Sequence, residues 1–239
     1  MIGAMDGRDW MTALRGAAYR RDGEAVVALA RDEGRPAGVL QLLGDGLAVA
    51  LAQRVDGARR LVVDCASALR ERGWAGDAEL ADQLDALAGA GPTPMLRPLA
   101  VDLEQLADIL EGDQGSTGGV VDLRTGEVWP QSTIEYASEG GDDLEAPDFD
   151  DSERCLWVSS EGSGDGYRDM VLFIDTLDDA DRADRLGIAI QGRGAFRRFK
   201  DVLDRWPDEL QRWHEFRGER ERGRARAWLA DAGYRVANH

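Results

Sequence analysis

The segment from residue 89 to 98 divides the chain, because residues that interrupt regular structure are dense there. It reads Gly-Ala-Gly-Pro-Thr-Pro-Met-Leu-Arg-Pro, and the hydrophobic pattern changes across it. Before it, apolar residues recur at helical spacing, as in Ala25–Ala30 and Leu61–Leu69, and short Gly- and Pro-rich turns separate the periodic stretches. This pattern predicts a helical domain over residues 1–90, followed by a linker over residues 91–98.

Beyond the linker the pattern becomes mixed. A helix predicted from Asp102 to Leu110 precedes Gly119–Trp129, which is typical of a β-hairpin because Thr125-Gly126 supplies its turn. Cys155–Val158 is predicted to be a third strand. We therefore expect residues 99–239 to form an α+β domain, in which a small antiparallel sheet packs with several C-terminal helices.

The C-terminal helices are predicted from their apolar spacing. One carries Tyr167, Met170 and Phe173, and Asp165 is a candidate cap for it. The others are a helix over 181–191, a cationic helix over 193–205 that ends at Trp206-Pro207, and two further helices, one carrying Leu210, Trp213 and Phe216 and the other carrying Ala227-Trp228-Leu229. The charges that alternate in Arg217–Arg226 favour a salt-bridged helix exterior.

An acidic insert near residues 135–153 separates the hairpin from the third strand. No Lys or Arg occurs between Thr125 and Glu153. The start of a calcium-binding loop is imitated by Asp148, Asp150 and Ser152, but Glu153 stands where glycine is required and Ser159 where glutamate is required. We therefore predict a solvated acidic loop and no metal site. An acidic loop of this kind is also suited to a basic protein partner.

The segment from Gly192 to Asp201 stands out because its charge opposes that of the chain. The chain has a formal net charge of -17, yet this segment holds four cations and one acid, and Lys200 is the only lysine. A glycine-led helix start exposes backbone N–H groups that attract anions. The candidate anion-binding residues are Arg193, Gly194, Arg197, Arg198 and Lys200.

A purely structural role for these cations competes with the functional one. Phe196, Phe199, Leu203 and Trp206 fall on one helix face and are expected to pack on the core. On the neighbouring face Arg197 is placed to pair with Asp201, and Lys200 with Asp204, both at a spacing of four. Pairing with the acidic insert is a further alternative.

The sequence offers little for nucleotide binding or covalent catalysis. Gly192-Arg193-Gly194 is not a dinucleotide loop, because Arg197 replaces the third glycine and a helix precedes it. His214 and His239 are the only histidines, so nucleophilic catalysis would depend on His214. Cys65 is expected in a helix and Cys155 in a strand, both as buried free thiols. We therefore nominate no catalytic residue and no cofactor.

Several of these residues resemble a known family. Gly126-Glu127-Val128, Tyr167 with Met170 and Phe173, the Gly192–Asp201 string and Trp228-Leu229 look like the bacterial uncharacterised protein family 0158, over roughly residues 99–234. The resemblance implies a small intracellular bacterial α+β protein. It implies no activity, so no site residue carries over. The helical region before Pro98 and the long acidic insert depart from short members of the family.

Composition and motifs lead to three hypotheses for function. No apolar run reaches the roughly 18 residues that a membrane span needs, and the N-terminus does not resemble a secretory signal, so we expect a cytoplasmic protein. The first hypothesis is a non-catalytic binding or regulatory protein whose cationic helix start meets an anionic ligand, nucleic acid or protein. The alternatives are a metal-assisted enzyme acting on a phosphorylated substrate, and an acidic inhibitor-like protein that binds a basic partner.

Overall fold

The structure is a computed structural model, and the residues that it describes are 7–32, 34–36, 38–112, 118–139, 146–160, 162 and 164–237. These residues form eleven helices and five short strands, which confirms the predicted α+β class. The chain separates into two compact units. The first comprises Met1–Glu104, Arg124–Gly126 and Arg222–His239, and the second comprises Gln105–Leu123 and Glu127–Glu221.

The first unit begins with five helices, as the periodicity predicts. They are α1 (Gly7–Arg20), α2 (Gly23–Ala30), α3 (Gln41–Ala52), α4 (Ala58–Arg72) and α5 (Asp77–Ala88). Their apolar faces form one continuous core, with Trp10, Leu14, Leu43, Leu69 and Leu84 fully buried at its centre. Burial of these large side chains supplies the main driving force for folding of this unit.

Two short strands that were not predicted complete the first unit. β1 (Arg97–Leu99) pairs in parallel with β5 (Tyr234–Val236), and Leu99 lies opposite Val236. The predicted linker, residues 91–98, therefore lies inside this unit and contributes to a strand. Each strand has only three residues, and one residue of β1 is Pro98, so neither strand gives a periodic signal in the sequence.

The second unit contains the predicted three-stranded antiparallel sheet. Helix α6 (Leu103–Leu110) precedes it, and its strands are β2 (Gly119–Asp122), β3 (Val128–Pro130) and β4 (Cys155–Val158), in the order β3-β2-β4. Val120 lies opposite both Trp129 and Trp157. The hairpin and the third strand are thus confirmed. Helix α7 (Gln131–Ser138) follows β3, so the first part of the acidic insert is helical.

An aromatic cluster holds the remaining helices of the second unit together. These helices are α8 (Gly164–Ile174), α9 (Ala180–Ala189) and α10 (Ala195–Leu203). Phe173 and Phe199 each meet Trp213 edge to face, with ring centroids 5.3 Å and 4.9 Å apart. Phe199 and Leu203 are buried, so one face of α10 is anchored in this cluster and the opposite face is outward.

A single 25-residue helix, α11 (Pro207–Asp231), ends the helical part of the chain, so the prediction of two separate helices here is wrong. Gly218 and Gly223 stay helical within it. Gly223 is required for packing, because a Cβ atom at this position would lie 2.2 Å from the carbonyl oxygen of Ala75. The glycine permits close approach of two backbone segments and does not mark a break.

Candidate anion-binding site

Two glycines set the start of α10. Gly192 and Gly194 have φ angles of 74° and 76°, in the left-handed region that favours glycine. Gly194 is the N-cap, and no side chain caps this helix end. The first N–H groups of α10 therefore donate no hydrogen bond to a capping side chain, and the loop before them is exposed.

Arg198, one of the candidates, is engaged with the backbone. Its Nε donates to the carbonyl oxygen of Ala189 at 2.9 Å, and its Nη atoms donate to the carbonyls of Gln191 and Arg193. These carbonyls lie at the C-terminal end of α9 and in the loop that follows, where helix carbonyls have no intrahelical partner. Arg198 thus fixes the loop that leads into α10.

The remaining cations of α10 are exposed. The Arg197 side chain is 90% exposed, and its Nε lies 3.9 Å from a carboxylate oxygen of Asp201, an arrangement worth only about 0–1 kcal/mol. Within the described part of the chain, neither Arg193 nor Lys200 makes a side-chain hydrogen bond or an ion pair. The alternative pairing of Lys200 with Asp204 is accordingly not formed.

Phe196 departs from its predicted place in the core. It is 46% exposed, whereas Phe199 and Leu203 on the same face are buried. Its ring lies over α8, because a Cβ atom built on Gly166 would come within 3.1 Å of it. Phe196 lies at the edge of the buried face, four residues before Lys200. Its exposed ring and the Lys200 side chain are therefore neighbours on the surface of α10.

A groove between α9 and α10 adds residues that the sequence did not single out. Its volume is about 460 Å³, and its lining consists of Arg185, Ile188, Ala189, Arg198, Asp201, Val202, Arg205 and Trp206. Ile188 is 69% exposed at its edge. Arg185 and Arg205 make no side-chain ion pair or hydrogen bond with any residue that the structure describes. The groove therefore combines apolar walls with available cations.

Comparison with known proteins identifies the family. Residues 96–238, more than half of the chain, match the model of an uncharacterised protein family, UPF0158. The chain belongs to this family. It is also 28% identical to a UPF0158 protein of Pseudomonas aeruginosa over 137 residues, which cover 57% of this chain and 85% of that protein. No solved structure matches the chain.

The family match includes α10, the α9–α10 groove and α11. Helices α1–α5 lie outside it. The predicted resemblance over residues 99–234 is thereby confirmed. Membership of this family carries no activity over to the chain, and only the geometry of the site bears on its function.

Arg222 and Arg226 of α11 are largely buried, so the predicted helix exterior over Arg217–Arg226 is wrong at these two residues. It holds at Arg217, which is 49% exposed and pairs with Glu221. The Arg226 side chain is 3% exposed. Its Nε donates to Oε1 of Gln41 at 2.9 Å, and its Nη2 donates to Oδ1 of Asp45 at 2.7 Å. Arg222 pairs with Asp45 at 3.1 Å and with Glu104 at 3.0 Å. Oxygens from α3 thus draw these arginines into the first unit.

The pKa of Asp45 shows the effect of the two neighbouring arginines. Burial raises the pKa of its carboxyl, but Arg226 and then Arg222 together outweigh burial, so the pKa lies below its ordinary value of 3.8. The carboxylate therefore stays charged at neutral pH. Arg222 and Arg226 are neutralised within the protein and do not extend a surface for anions.

The described residues of the acidic insert form no metal cluster. Asp142, Asp143 and Glu145 of the acidic insert, and His239, lie outside the described residues. Among the residues that are described, no cluster of His, Cys, Asp or Glu is arranged to hold a metal ion. Asp148 and Asp151 accept hydrogen bonds from the backbone N–H groups of Asp150 and Glu153. These are ordinary loop contacts.

The two cysteines are buried free thiols, as predicted. Burial, with a smaller contribution from Asp122, raises the pKa of the Cys155 thiol. A raised pKa disfavours the thiolate that acts as a nucleophile. No helix among the described residues is long and apolar enough to cross a membrane.

Proposed function

We propose that this UPF0158 protein is a non-catalytic intracellular binding or regulatory protein, and that it binds an acidic segment of a partner protein. The proposed contact is the α10 surface, defined as Arg193, Arg197 and Lys200 together with the groove between α9 and α10. One observation carries the proposal: in a chain with a net charge of -17, Arg193 and Lys200 have no ionic partner among the described residues.

The groove supports a protein segment as the anionic partner. Its walls include Ile188, Val202 and Trp206, which suit apolar side chains, and Arg185 and Arg205 are available for carboxylates. An amphipathic acidic helix carries both kinds of group, and docking of an apolar helix face in a groove is a recurrent mode of recognition. Aromatic and arginine side chains are also the residues that contribute most to protein interfaces.

Nucleic acid fits the α10 surface less well. Affinity for a duplex comes from neutralising several phosphates at once. A nucleic acid also has no apolar side chains to fill the groove. We therefore expect nucleic acid to bind more weakly than an acidic protein segment, and a titration with DNA checks this.

The proposal is tested by titrating a fluorescent 20-residue helical peptide with Glu on one face and Leu on the other. We expect the triple variant Arg193→Ala/Arg197→Ala/Lys200→Ala to bind at least tenfold more weakly than the wild type. The matched control is Arg8→Ala/Arg59→Ala/Arg60→Ala, which removes the same charge from exposed positions of α1 and α4. Its affinity should stay within twofold of the wild type.

Equal affinity for the two triple variants would contradict the proposal, as would a wild-type protein that does not bind the peptide. A parallel titration with a 20-nucleotide single-stranded DNA separates the classes of partner. Tighter binding of the DNA, lost in the α10 triple variant, would replace the acidic protein segment by a nucleic acid.

A further inference from the structure

A second cavity lies wholly within the first unit. Its volume is about 560 Å³, in the range of pockets that hold small organic molecules, and it is open to solvent beside α1, where Tyr19 is 91% exposed. Helices α1 and α3, residues 100–104, Arg222 and residues 236–237 surround it. Arg15, Tyr19, Arg21, Leu42, Val49 and Val101 are among the residues that line it.

The unpaired groups of this cavity are cationic or aromatic. Arg15 and Tyr19 are four residues apart and therefore share a face of α1, and Arg21 follows that helix directly. Their side chains make no hydrogen bond or ion pair with any other described residue. By contrast, Asp45 and Glu104 are already paired with Arg222. The charge left without a partner is therefore positive.

Arg21 occupies a backbone position that favours glycine. Its φ is 54°, and the turn is closed by hydrogen bonds from the N–H groups of Arg21 and Asp22 to the carbonyls of Ala18 and Ala17. The side-chain amide of Gln53 donates to the carbonyl of Arg21 at 2.8 Å and so fixes the turn. A non-glycine residue in this conformation is strained.

A second arginine provides a natural control. Arg54 follows α3 with a φ of 59°, so its backbone conformation and charge match those of Arg21. Its N–H likewise donates to a helix carbonyl, that of Leu51. Arg54 does not line the cavity.

We propose that this cavity binds a small organic anion, with a phosphate or carboxylate group attached to an apolar body. Arg15 and Arg21 hold the oxyanion through charge-assisted hydrogen bonds, and the Tyr19 hydroxyl is available as a further donor. The apolar body lies against Leu42, Val49 and Val101, which line the same cavity. These residues do not belong to the α10 surface, so the proposal does not depend on the proposed function.

The test is calorimetric titration of the full chain with phenyl phosphate, benzoate and inorganic phosphate. We expect at least one of the two aryl anions to bind, and which of them binds more tightly identifies the oxyanion as phosphate or carboxylate. Inorganic phosphate should bind at least tenfold more weakly, because it lacks the apolar body. Arg21→Gly should raise the Kd of the aryl anion about tenfold or more, since it removes a charged hydrogen-bonding partner.

The matched variant Arg54→Gly should leave that Kd within twofold of the wild type. Both glycine variants relieve the same backbone strain, so without ligand each should melt at or above the wild-type temperature. Arg15→Gln gives an independent measure at a regular helical position, and it should also raise the Kd about tenfold.

Three results would overturn the proposal: neither aryl anion binds, Arg21→Gly and Arg54→Gly bind equally well, or inorganic phosphate binds as tightly as the aryl anion. A melting temperature that falls in Arg21→Gly but rises in Arg54→Gly would also contradict it, because Arg21 would then serve the fold.

Discussion

The arginines around the start of α10 and those in the later part of α11 have opposite surroundings. Arg193 and Arg197, at the start of α10, are exposed, and the carboxylate nearest to Arg197 is 3.9 Å away. Arg226 of α11 is almost completely buried and bonds to Gln41 and Asp45. The difference lies in what faces each helix, since α3 supplies oxygens to α11 whereas the outer face of α10 has only its own acids.

The same contrast occurs between neighbours within α10. Arg197 is outward and weakly paired, while Arg198 donates to three backbone carbonyls. A single residue step rotates the side chain by about 100° around the helix, which decides whether it meets a loop or solvent. The number of cations in a segment therefore does not define a binding surface, because some of them are already bonded within the protein.

Replacing Arg226 by methionine should have the largest effect on this contrast. The variant leaves the Asp45 carboxylate with Arg222 alone and removes the donor to Oε1 of Gln41, and breaking such a buried pair costs about 3 kcal/mol or more of unfolding free energy. The measurement is urea unfolding at pH 7. Arg60→Met is the control, because the Arg60–Asp64 pair is exposed, and it should change stability by less than about 0.5 kcal/mol. Equal losses of unfolding free energy in the two variants would show that buried and exposed arginine pairs contribute equally to stability.

The two glycines of α11 should respond in opposite directions to alanine. A Cβ atom at residue 223 would lie 2.2 Å from the Ala75 carbonyl oxygen, so Gly223→Ala should cost about 2 kcal/mol through displacement of backbone. At residue 218 nothing lies within 4 Å, so Gly218→Ala should stabilise by up to about 1 kcal/mol through helix propensity. Thermal unfolding of both variants checks this. Stabilisation by Gly223→Ala would show that the close approach of α11 to Ala75 is wrong.

Arg197 and Arg198 should differ by a smaller amount. Arg198→Ala removes hydrogen bonds that hold the loop before α10, and we expect a loss of about 1 kcal/mol or more together with faster amide hydrogen exchange in residues 190–194. Arg197→Ala should leave both stability and exchange unchanged, since its pairing is exposed. If Arg197→Ala has the larger effect on exchange, the assignment of roles within α10 must be reversed.

Sequence patterns identified the features that depend on local periodicity. Helices α1–α5, the hairpin at Gly126 and the strand at Cys155 follow from apolar spacing and turn residues. The unbroken helix α11 was missed because Gly218 and Gly223 are typical of helix ends, and only packing against Ala75 explains Gly223. Strands β1 and β5 were missed because their pairing joins residues more than 130 positions apart.

The candidate site was predicted in part for the same reason. Composition singled out the Gly192–Asp201 segment, and helical spacing placed Phe199 in the core. The hydrogen bonds of Arg198 and the groove residues Arg185 and Arg205 depend on how α9 lies against α10, which spacing within one helix does not reveal. The burial of Arg226 likewise depends on a partner 185 positions away, Gln41.

The cations around the start of α10, Arg193, Arg197 and Lys200, are available to a partner, whereas Arg222 and Arg226 of α11 are held inside the protein. Arginine-specific modification with phenylglyoxal, mapped by mass spectrometry over time on the folded protein, tests this difference at each arginine in one experiment. We expect Arg193 and Arg197 to be modified first, Arg198 more slowly, and Arg226 only when the protein unfolds. Modification of Arg226 at the rate of Arg197 would contradict this difference in accessibility.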